Sequence, residues 1–247
     1  MKFKNAILSL SLFAAGTLGA TTIYPEKVKC GNCGAENTVT VVGSTNQMQY
    51  PDLDLRPGEM ARSTLPHQVA ECKKCHYCAP DIAAKPESEA EKKAIAQPMP
   101  GDGLADRFAR AAEIMRAEAE ANSGDAEKTA MRYLHSGMFF LRAAWACDDD
   151  GKTAEAVKYR RLSATELEKT LALCDKARSV GEWRTAILLV LSDACRRAGD
   201  FERAEKAAKL VPADRKQERA IADFQLELCR KKDTGRYTLG EVPGFAK

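Results

Sequence analysis

The chain of 247 residues is long enough for one large domain or two modest ones, and its 45% hydrophobic and 30% charged residues are typical of a globular protein rich in helix. The formal net charge of +3 is small, because Asp and Glu match Lys and Arg along the helical part, so we expect no nucleic-acid partner. Aromatic residues make up only 6% of the chain, which argues against a large β-sandwich core.

The first 20 residues have the pattern of a secretory signal peptide. Lys2 and Lys4 precede an apolar run that ends in the small residues Gly19 and Ala20. This run of about 15 residues is shorter than the ~20 that a membrane-spanning helix needs. We therefore expect an exported protein, periplasmic or extracellular, with no stable membrane span after cleavage. An uncleaved anchor and a buried helix are the alternatives.

Residues 21–80 are predicted to form a small module of short strands and loops. The β-branched run Thr38–Val42 is typical of a strand, and Pro51 and Pro57 indicate that Gln47–Leu65 is a long loop. Residues 81–103 contain three prolines and two glycines and are predicted to be a linker with one or two helical turns.

Two C-x-x-C pairs, Cys30 with Cys33 and Cys72 with Cys75, lie in this module. Each pair lets two thiolates of one tight turn reach the same ion, and two pairs complete a tetrahedral site for a structural Zn²⁺. The 38 intervening residues exceed the usual spacing, but a loop can contain them at a small entropic cost. The module is therefore predicted to be zinc-ribbon-like, and Cys78 exceeds the four ligands that the ion needs.

Two other interpretations of these cysteines remain open. Cys72, Cys75 and His76 match the C-x-x-C-H pattern of c-type haem attachment, with His67, Met48 or Met60 as the nearby candidates for a distal ligand. In an oxidising compartment each pair could instead form a disulfide or act as a redox dithiol.

Residues 104–247 are predicted to be almost entirely helical, since Ala, Leu, Glu, Lys and Arg dominate and proline is absent until Pro212. The predicted helices are Leu104–Ala121, Ala126–Cys147, Thr153–Ala177, Trp183–Ala198, Phe201–Leu210 and Ala213–Arg230. The fold class is therefore mainly α, and the single cysteines of these helices (Cys147, Cys174, Cys195 and Cys229) are predicted to lie in the core.

A weak internal repeat occurs within the helical part at an offset of 48 residues. Each copy contains an alanine and a cysteine, then a glycine, then a second alanine: Ala146, Cys147, Gly151 and Ala156 match Ala194, Cys195, Gly199 and Ala204. Helix, glycine turn and helix form the unit of tetratricopeptide-like repeats, whose period is usually ~34 residues. Such repeats predict a groove that binds a protein or peptide.

No catalytic constellation is evident in the sequence, so we expect a protein that is not an enzyme. Neither a nucleophile elbow nor a Walker loop, H-E-x-x-H or dinucleotide fingerprint occurs. The five charges Asp52, Asp54, Arg56, Glu59 and Arg62 could form a site beside the metal, although most such loop charges make turns and salt bridges.

Taken together, the chain resembles an uncharacterised bacterial family of unknown function that joins a zinc-ribbon-like cysteine module to tetratricopeptide-like helices. The resemblance is carried by Val28–Gly34, Asp52–Glu59, Val69–Ala79 and Phe140–Trp145. It implies this architecture and metal binding rather than an activity. This chain departs from the family pattern at His76, where glycine is common.

Overall fold

The computed structural model describes residues 21–45 and 49–245. The predicted signal peptide, residues 1–20, lies outside the described residues, as does the candidate haem ligand Met48. No helix among the described residues is both long enough and apolar enough to cross a lipid bilayer.

The N-terminal module is built from two small antiparallel sheets, one beside each C-x-x-C pair. Strand β1 (Thr22–Lys29) pairs with β2 (Glu36–Ser44), and β3 (Ala70–Glu71) pairs with β4 (Cys78–Ala79). Each sheet brings the chain into and out of one cysteine turn, so the predicted placement of short strands around the pairs is confirmed.

The rest of the described chain is mainly helical, as predicted. The helices are α1 (Glu59–Arg62), α2 (Glu89–Ile95), α3 (Leu104–Ala121), α4 (Ala126–Asp149), α5 (Thr153–Leu173), α6 (Arg178–Gly181), α7 (Arg184–Arg197), α8 (Phe201–Lys209) and α9 (Lys216–Arg230). From α3 onward each long helix packs against the next one along the chain, and α7 also contacts α9. This order produces an array of helices with one continuous apolar core.

The two copies of the internal repeat have the same local geometry. Gly151 ends α4 and Gly199 ends α7, with φ values of 71° and 76°, in the left-handed region that glycine adopts without strain. The N–H of the next residue bonds to Cys147 O (2.8 Å) in the first copy and to Cys195 O (2.9 Å) in the second. These are Schellman-type helix ends, which the sequence repeat encodes. The assignment of the array to tetratricopeptide-like repeats stays a prediction.

The segment predicted to be a linker is anchored to the fold at several points. Helix α2 begins with a capping box, in which the Ser88 side chain and the Glu91 side chain each bond the other's backbone N–H. Ile95 of α2 is buried with Ile82 and with Ile114 of α3, in the same cluster as Cys30 and Cys72. The segment therefore joins the cysteine module to α3 through a shared core.

Arg110 of α3 holds the end of this segment in place. The buried guanidinium donates to the carbonyl oxygens of Ala94 (2.6 Å), Gln97 (2.9 Å) and Pro98. Hydrogen bonds from a charged donor contribute about 1.5–3 kcal/mol each. Arg110 is thus the main polar contact between α3 and the chain that precedes it.

Replacement of Arg110 by alanine is expected to expose the segment to proteolysis. The three carbonyls lose their donor, so local opening should become easier by about 3 kcal/mol and cleavage within residues 85–103 faster by roughly a hundredfold. Limited digestion with a broad-specificity protease, followed by mass spectrometry, measures this rate. Arg178→Ala, at an exposed arginine of α6, serves as the control. Equal cleavage rates in both variants would show that Arg110 does not hold the segment.

Candidate metal centre

The two cysteine pairs form turns of nearly identical geometry. Cys30 O accepts the N–H of Gly34 (2.8 Å), and Cys72 O accepts the N–H of His76 (2.9 Å). Gly34 and His76 have φ values of 72° and 55°, so both turns need a left-handed residue directly after the second cysteine. Each turn thereby directs two sulfurs to the same side, which explains the C-x-x-C spacing in physical terms.

The two turns bring their four sulfurs together. The Sγ–Sγ distance is 3.7 Å between Cys30 and Cys75 and 3.6 Å between Cys33 and Cys72, and all four ligand atoms lie within 4.8 Å of one another. A tetrahedral ion with bonds of ~2.3 Å requires sulfurs about 3.8 Å apart. The predicted site residues therefore form a cluster whose dimensions match a four-sulfur metal site.

Amide groups around the cluster favour ionised sulfur. Asn37 donates to Cys72 Sγ (3.5 Å) and Asn32 donates to Cys75 Sγ (3.4 Å). The carboxamide oxygen of Asn37 accepts the N–H of Lys73 (3.0 Å), which fixes the orientation of the Asn37 amide. Such contacts around the ligands orient them and raise the affinity for the metal. The sequence analysis did not identify either asparagine, although both lie within four residues of a cysteine.

The acidity of the sulfurs differs across the cluster. Burial disfavours ionisation of Cys72, but backbone N–H groups of Cys75 and Lys74 and the amide of Asn37 outweigh it, so its pKa falls to about 6. Burial raises the pKa of Cys30 to about 12. One thiolate therefore forms readily, and each further negative charge so close to it needs a cation to compensate. A bound divalent metal supplies that compensation.

His76 lies at the surface, outside the sulfur cluster. Its ring is about half exposed, and Nδ1 lies 2.8 Å from a carboxylate oxygen of Glu71. Since a non-glycine residue in the left-handed region is strained by about 1–2 kcal/mol, His76 is a local weakness of the second turn. The string that matches haem attachment thus arises from a histidine at a position whose backbone favours glycine.

Replacement of His76 by glycine is expected to leave the metal content unchanged and to stabilise the module. Relief of the left-handed strain exceeds the greater chain entropy of glycine and the loss of one exposed contact to Glu71, so we expect a gain of about 0.5 kcal/mol. Urea unfolding monitored by circular dichroism, with elemental analysis of the same samples, measures both quantities.

The matched control is Gly34→Ala in the first turn. A Cβ at this position meets no atom within 4 Å, so the expected loss of about 1 kcal/mol comes from the backbone alone. Loss of metal from the His76→Gly variant would mean that the histidine ring takes part in the site.

The other five cysteines lie away from the cluster. Cys78 is buried in the core of the helical array, and burial raises its pKa to about 12. Cys147, Cys174, Cys195 and Cys229 are buried in the same core, and all are free thiols. These side chains act as small apolar residues of the core, as the sequence predicts for the four on helices.

The charged loop Asp52–Arg62 contacts the helical array. The carboxylate of Asp54, 0% exposed, accepts from Trp145 Nε1 (2.8 Å) and from Arg197 (3.2 Å). Arg56 is also buried and pairs with Asp149 at the end of α4. Through Asp54 and Arg56 the loop thus joins the N-terminal module to α4 and α7.

Asp52, in the same loop, is anchored to the C-terminal segment. It forms an isolated antiparallel bridge with Thr238, and its carboxylate lies 3.1 Å from Arg236 Nε. Burial raises the pKa of Asp52 to about 6, the negative charge of Asp54 adds to this shift, and Arg236 partly opposes it. The loop therefore lies between the helices and the end of the described chain.

Fold and site together define a mainly α-helical protein with a four-cysteine cluster able to hold a metal ion. In comparisons with known proteins, no family model matches the chain, and neither a curated protein nor a solved structure is significantly similar to it.

Proposed function

We propose that the chain is an exported zinc protein, in which the four-cysteine centre is structural and the helical array binds a protein partner. The observation that carries the zinc assignment is the spacing of the four sulfurs, which all lie within 4.8 Å of one another and are 3.6–3.7 Å apart for two pairs between the turns. Four sulfur donors in a tetrahedron favour Zn²⁺ or iron, and Zn²⁺ is the usual occupant of structural sites joined by two C-x-x-C turns.

A structural rather than catalytic role follows from the arrangement of the ligands. Catalytic zinc keeps one position open for water or substrate, whereas four cysteines fill the tetrahedron. Cys30 and Cys72 are buried in an apolar cluster with Tyr77, Ile82 and Ile95. A small module with so little core of its own depends on a metal to fold.

The protein-binding role is supported by the shape and surface of the helical part. Successive packing of α3 to α9 is typical of helical arrays that present extended surfaces to partners. Large apolar side chains remain exposed on this part of the chain, among them Trp183 and Leu210. Such residues are common at protein interfaces, since they bury large areas when a partner binds.

The redox and haem alternatives are less favoured by the geometry. Covalent haem at Cys72 and Cys75 would remove two sulfurs from the cluster and leave Cys30 and Cys33 without a partner ion. Sulfurs of different turns lie 3.6–3.7 Å apart, well above the ~2.05 Å of a disulfide, and all four cysteines are free thiols. Neither alternative accounts for the convergence of both turns on one point.

The proposal is tested on the full chain expressed with its N-terminal segment in a secreting host. Elemental analysis is expected to give about one zinc per chain, with no Soret absorption, and N-terminal sequencing of the mature protein is expected to show cleavage after residue 20. Iron in place of zinc would change the identity of the metal in this proposal but leave its structural role unchanged. A Soret band, or a metal-free protein with a titratable dithiol, would contradict the proposal.

A further inference from the structure

A groove of about 890 Å³ runs beside β2. One wall is β2 itself, from Thr38 to Val42. The facing wall comes mainly from the chain between residues 49 and 71. Residues 28, 45, 73 and 80–82 and Arg107 of α3 also line the groove. The groove therefore lies where the cysteine module meets the first long helix.

The strand presents its edge to this groove. Side chains of a strand alternate between the two faces, so a cavity over one face is lined by every second residue. Thr38, Val39, Thr40, Val41 and Val42 all line the groove, without alternation. Consecutive lining, which one face alone cannot give, indicates that the backbone edge of β2 is exposed to the cavity; Val28 of β1 also lines it, so the cavity extends over one face of the sheet as well.

Hydrogen-bond register shows which backbone groups point outward. Cys30 N–H bonds Ala35 O (2.9 Å), and hydrogen-bonded pairs alternate with non-hydrogen-bonded pairs in an antiparallel ladder. By this alternation Thr40, opposite Pro25, belongs to a pair without ladder bonds. Proline, which has no N–H, can therefore occupy position 25 without the loss of a ladder hydrogen bond.

The N–H and C=O groups of Thr38, Thr40 and Val42 accordingly point away from β1. None of them has a backbone partner among residues 21–45 and 49–245. This row of unpaired donors and acceptors is the template that an additional strand requires.

The facing wall presents an apolar side chain on a strained backbone. Leu55 has a φ of 68° and is 46% exposed, and it lines the groove together with Pro57 and Ala61. A leucine in the left-handed region is strained by about 1–2 kcal/mol, and strain of this kind is concentrated at binding sites. The exposed Leu55 side chain gives a bound segment an apolar contact opposite Val39 and Val41.

Arg107 adds a positive charge to the groove. Its Nε is buried without a hydrogen-bond partner in the described part of the chain. The nearby acidic residues are engaged elsewhere, since Glu71 pairs with Lys73 (3.2 Å) and Asp81 accepts the N–H of Ala83 (2.8 Å). A carboxylate on a bound segment would complete the hydrogen bonding of Arg107.

We propose that this groove binds an extended segment of a partner protein, which adds to β2 as a further strand. The segment alternates apolar with polar side chains and carries a carboxylate that meets Arg107. The inference rests on the proposed role in binding a protein partner and adds a site for such a partner at the junction of the cysteine module and α3.

Selection from a library of random dodecapeptides displayed on phage tests the proposal. We expect selected peptides to alternate apolar and polar residues and to share one acidic position. Thr40→Pro removes an N–H that points toward the groove and breaks no hydrogen bond between β1 and β2. It should therefore weaken peptide binding about tenfold or more, as measured by fluorescence polarisation. Arg178→Ala, at an exposed arginine of α6, should leave binding unchanged.

Arg107→Glu provides a test that does not depend on strand geometry. It should weaken binding about tenfold, and lysine at the acidic position of the peptide should restore it. Metal content and circular dichroism of each variant confirm folding. Failure to select peptides, or equal affinity for wild type and both groove variants, would overturn the proposal.

Two further outcomes separate this inference from the proposed function. If Trp183→Ala alone abolished peptide binding, the groove would not be the peptide-binding site, and the surface of the helical array would be favoured instead. Peptide selection by a protein that carries no metal would contradict structural zinc and leave the groove supported.

Discussion

Replacement of Cys72 by serine is expected to abolish metal binding and to unfold residues 21–80. Apparent binding free energies for structural zinc are about 10–16 kcal/mol in small zinc-dependent modules, and this energy is inseparable from folding. Cys72 is fully buried among the other ligands, and serine cannot replace its thiolate. Because Ile82 and Ile95 share its core, the loss should extend through α2.

Hydrogen exchange measured by mass spectrometry locates this effect. Protection should disappear from residues 21–103 and persist in α4 to α9, whose core is formed mainly by helical residues, although Leu53, Leu65, Val69 and Cys78 of the module also pack into it. Cys78→Ala is the control, because Cys78 is equally buried but is not a ligand, and it should keep both the metal and the protection. A Cys72→Ser protein with the protection pattern of the wild type would contradict a structural role for the metal.

Replacement of Arg197 by methionine is expected to destabilise the protein by about 3–5 kcal/mol. Arg197 pairs with Asp54 (3.2 Å) and Asp148 (2.8 Å), and the side chain of Asp54 is 0% exposed. Removal of one partner leaves a buried charge without compensation, which is the most damaging change at a buried ion pair. Urea unfolding of the metal-loaded protein measures the loss.

A double replacement separates this charge effect from packing. Asp54→Asn in the Arg197→Met background removes the buried charge, while the asparagine oxygen can still accept the hydrogen bond from Trp145. Most of the stability lost in Arg197→Met should therefore return. Arg184→Met, which breaks an exposed pair with Asp175, should change stability by less than about 0.5 kcal/mol. If Arg197→Met behaved like Arg184→Met, the contact between the charged loop and the helices would be of little energetic importance.

Much of the helical part is predictable from the sequence because its signals are local. Helix α3 has the predicted bounds, Leu104–Ala121, and the ends of α4 and α7 follow from the glycines at 151 and 199. The four cysteines of the cluster are predictable for a similar reason, since a C-x-x-C turn places two sulfurs together whatever the rest of the fold does. Only the convergence of the two turns depends on contacts between residues far apart in the sequence.

The roles of the loop and of the predicted linker depend on contacts far along the chain. Asp54 and Arg197 are 143 residues apart, and no periodicity of the sequence relates them. Arg110 binds carbonyl groups, which every residue has, so its partners leave no signature in the sequence. The groove beside β2 is equally hidden, because it depends on where a loop folds back against a strand.

X-ray absorption at the zinc K edge of the purified full chain distinguishes a four-sulfur centre from any other coordination. We expect four sulfur neighbours at ~2.3 Å and no lighter ligand, with about one zinc per chain. Two sulfur neighbours with nitrogen or oxygen in the remaining positions would contradict a centre formed by Cys30, Cys33, Cys72 and Cys75, and so would a zinc-free protein.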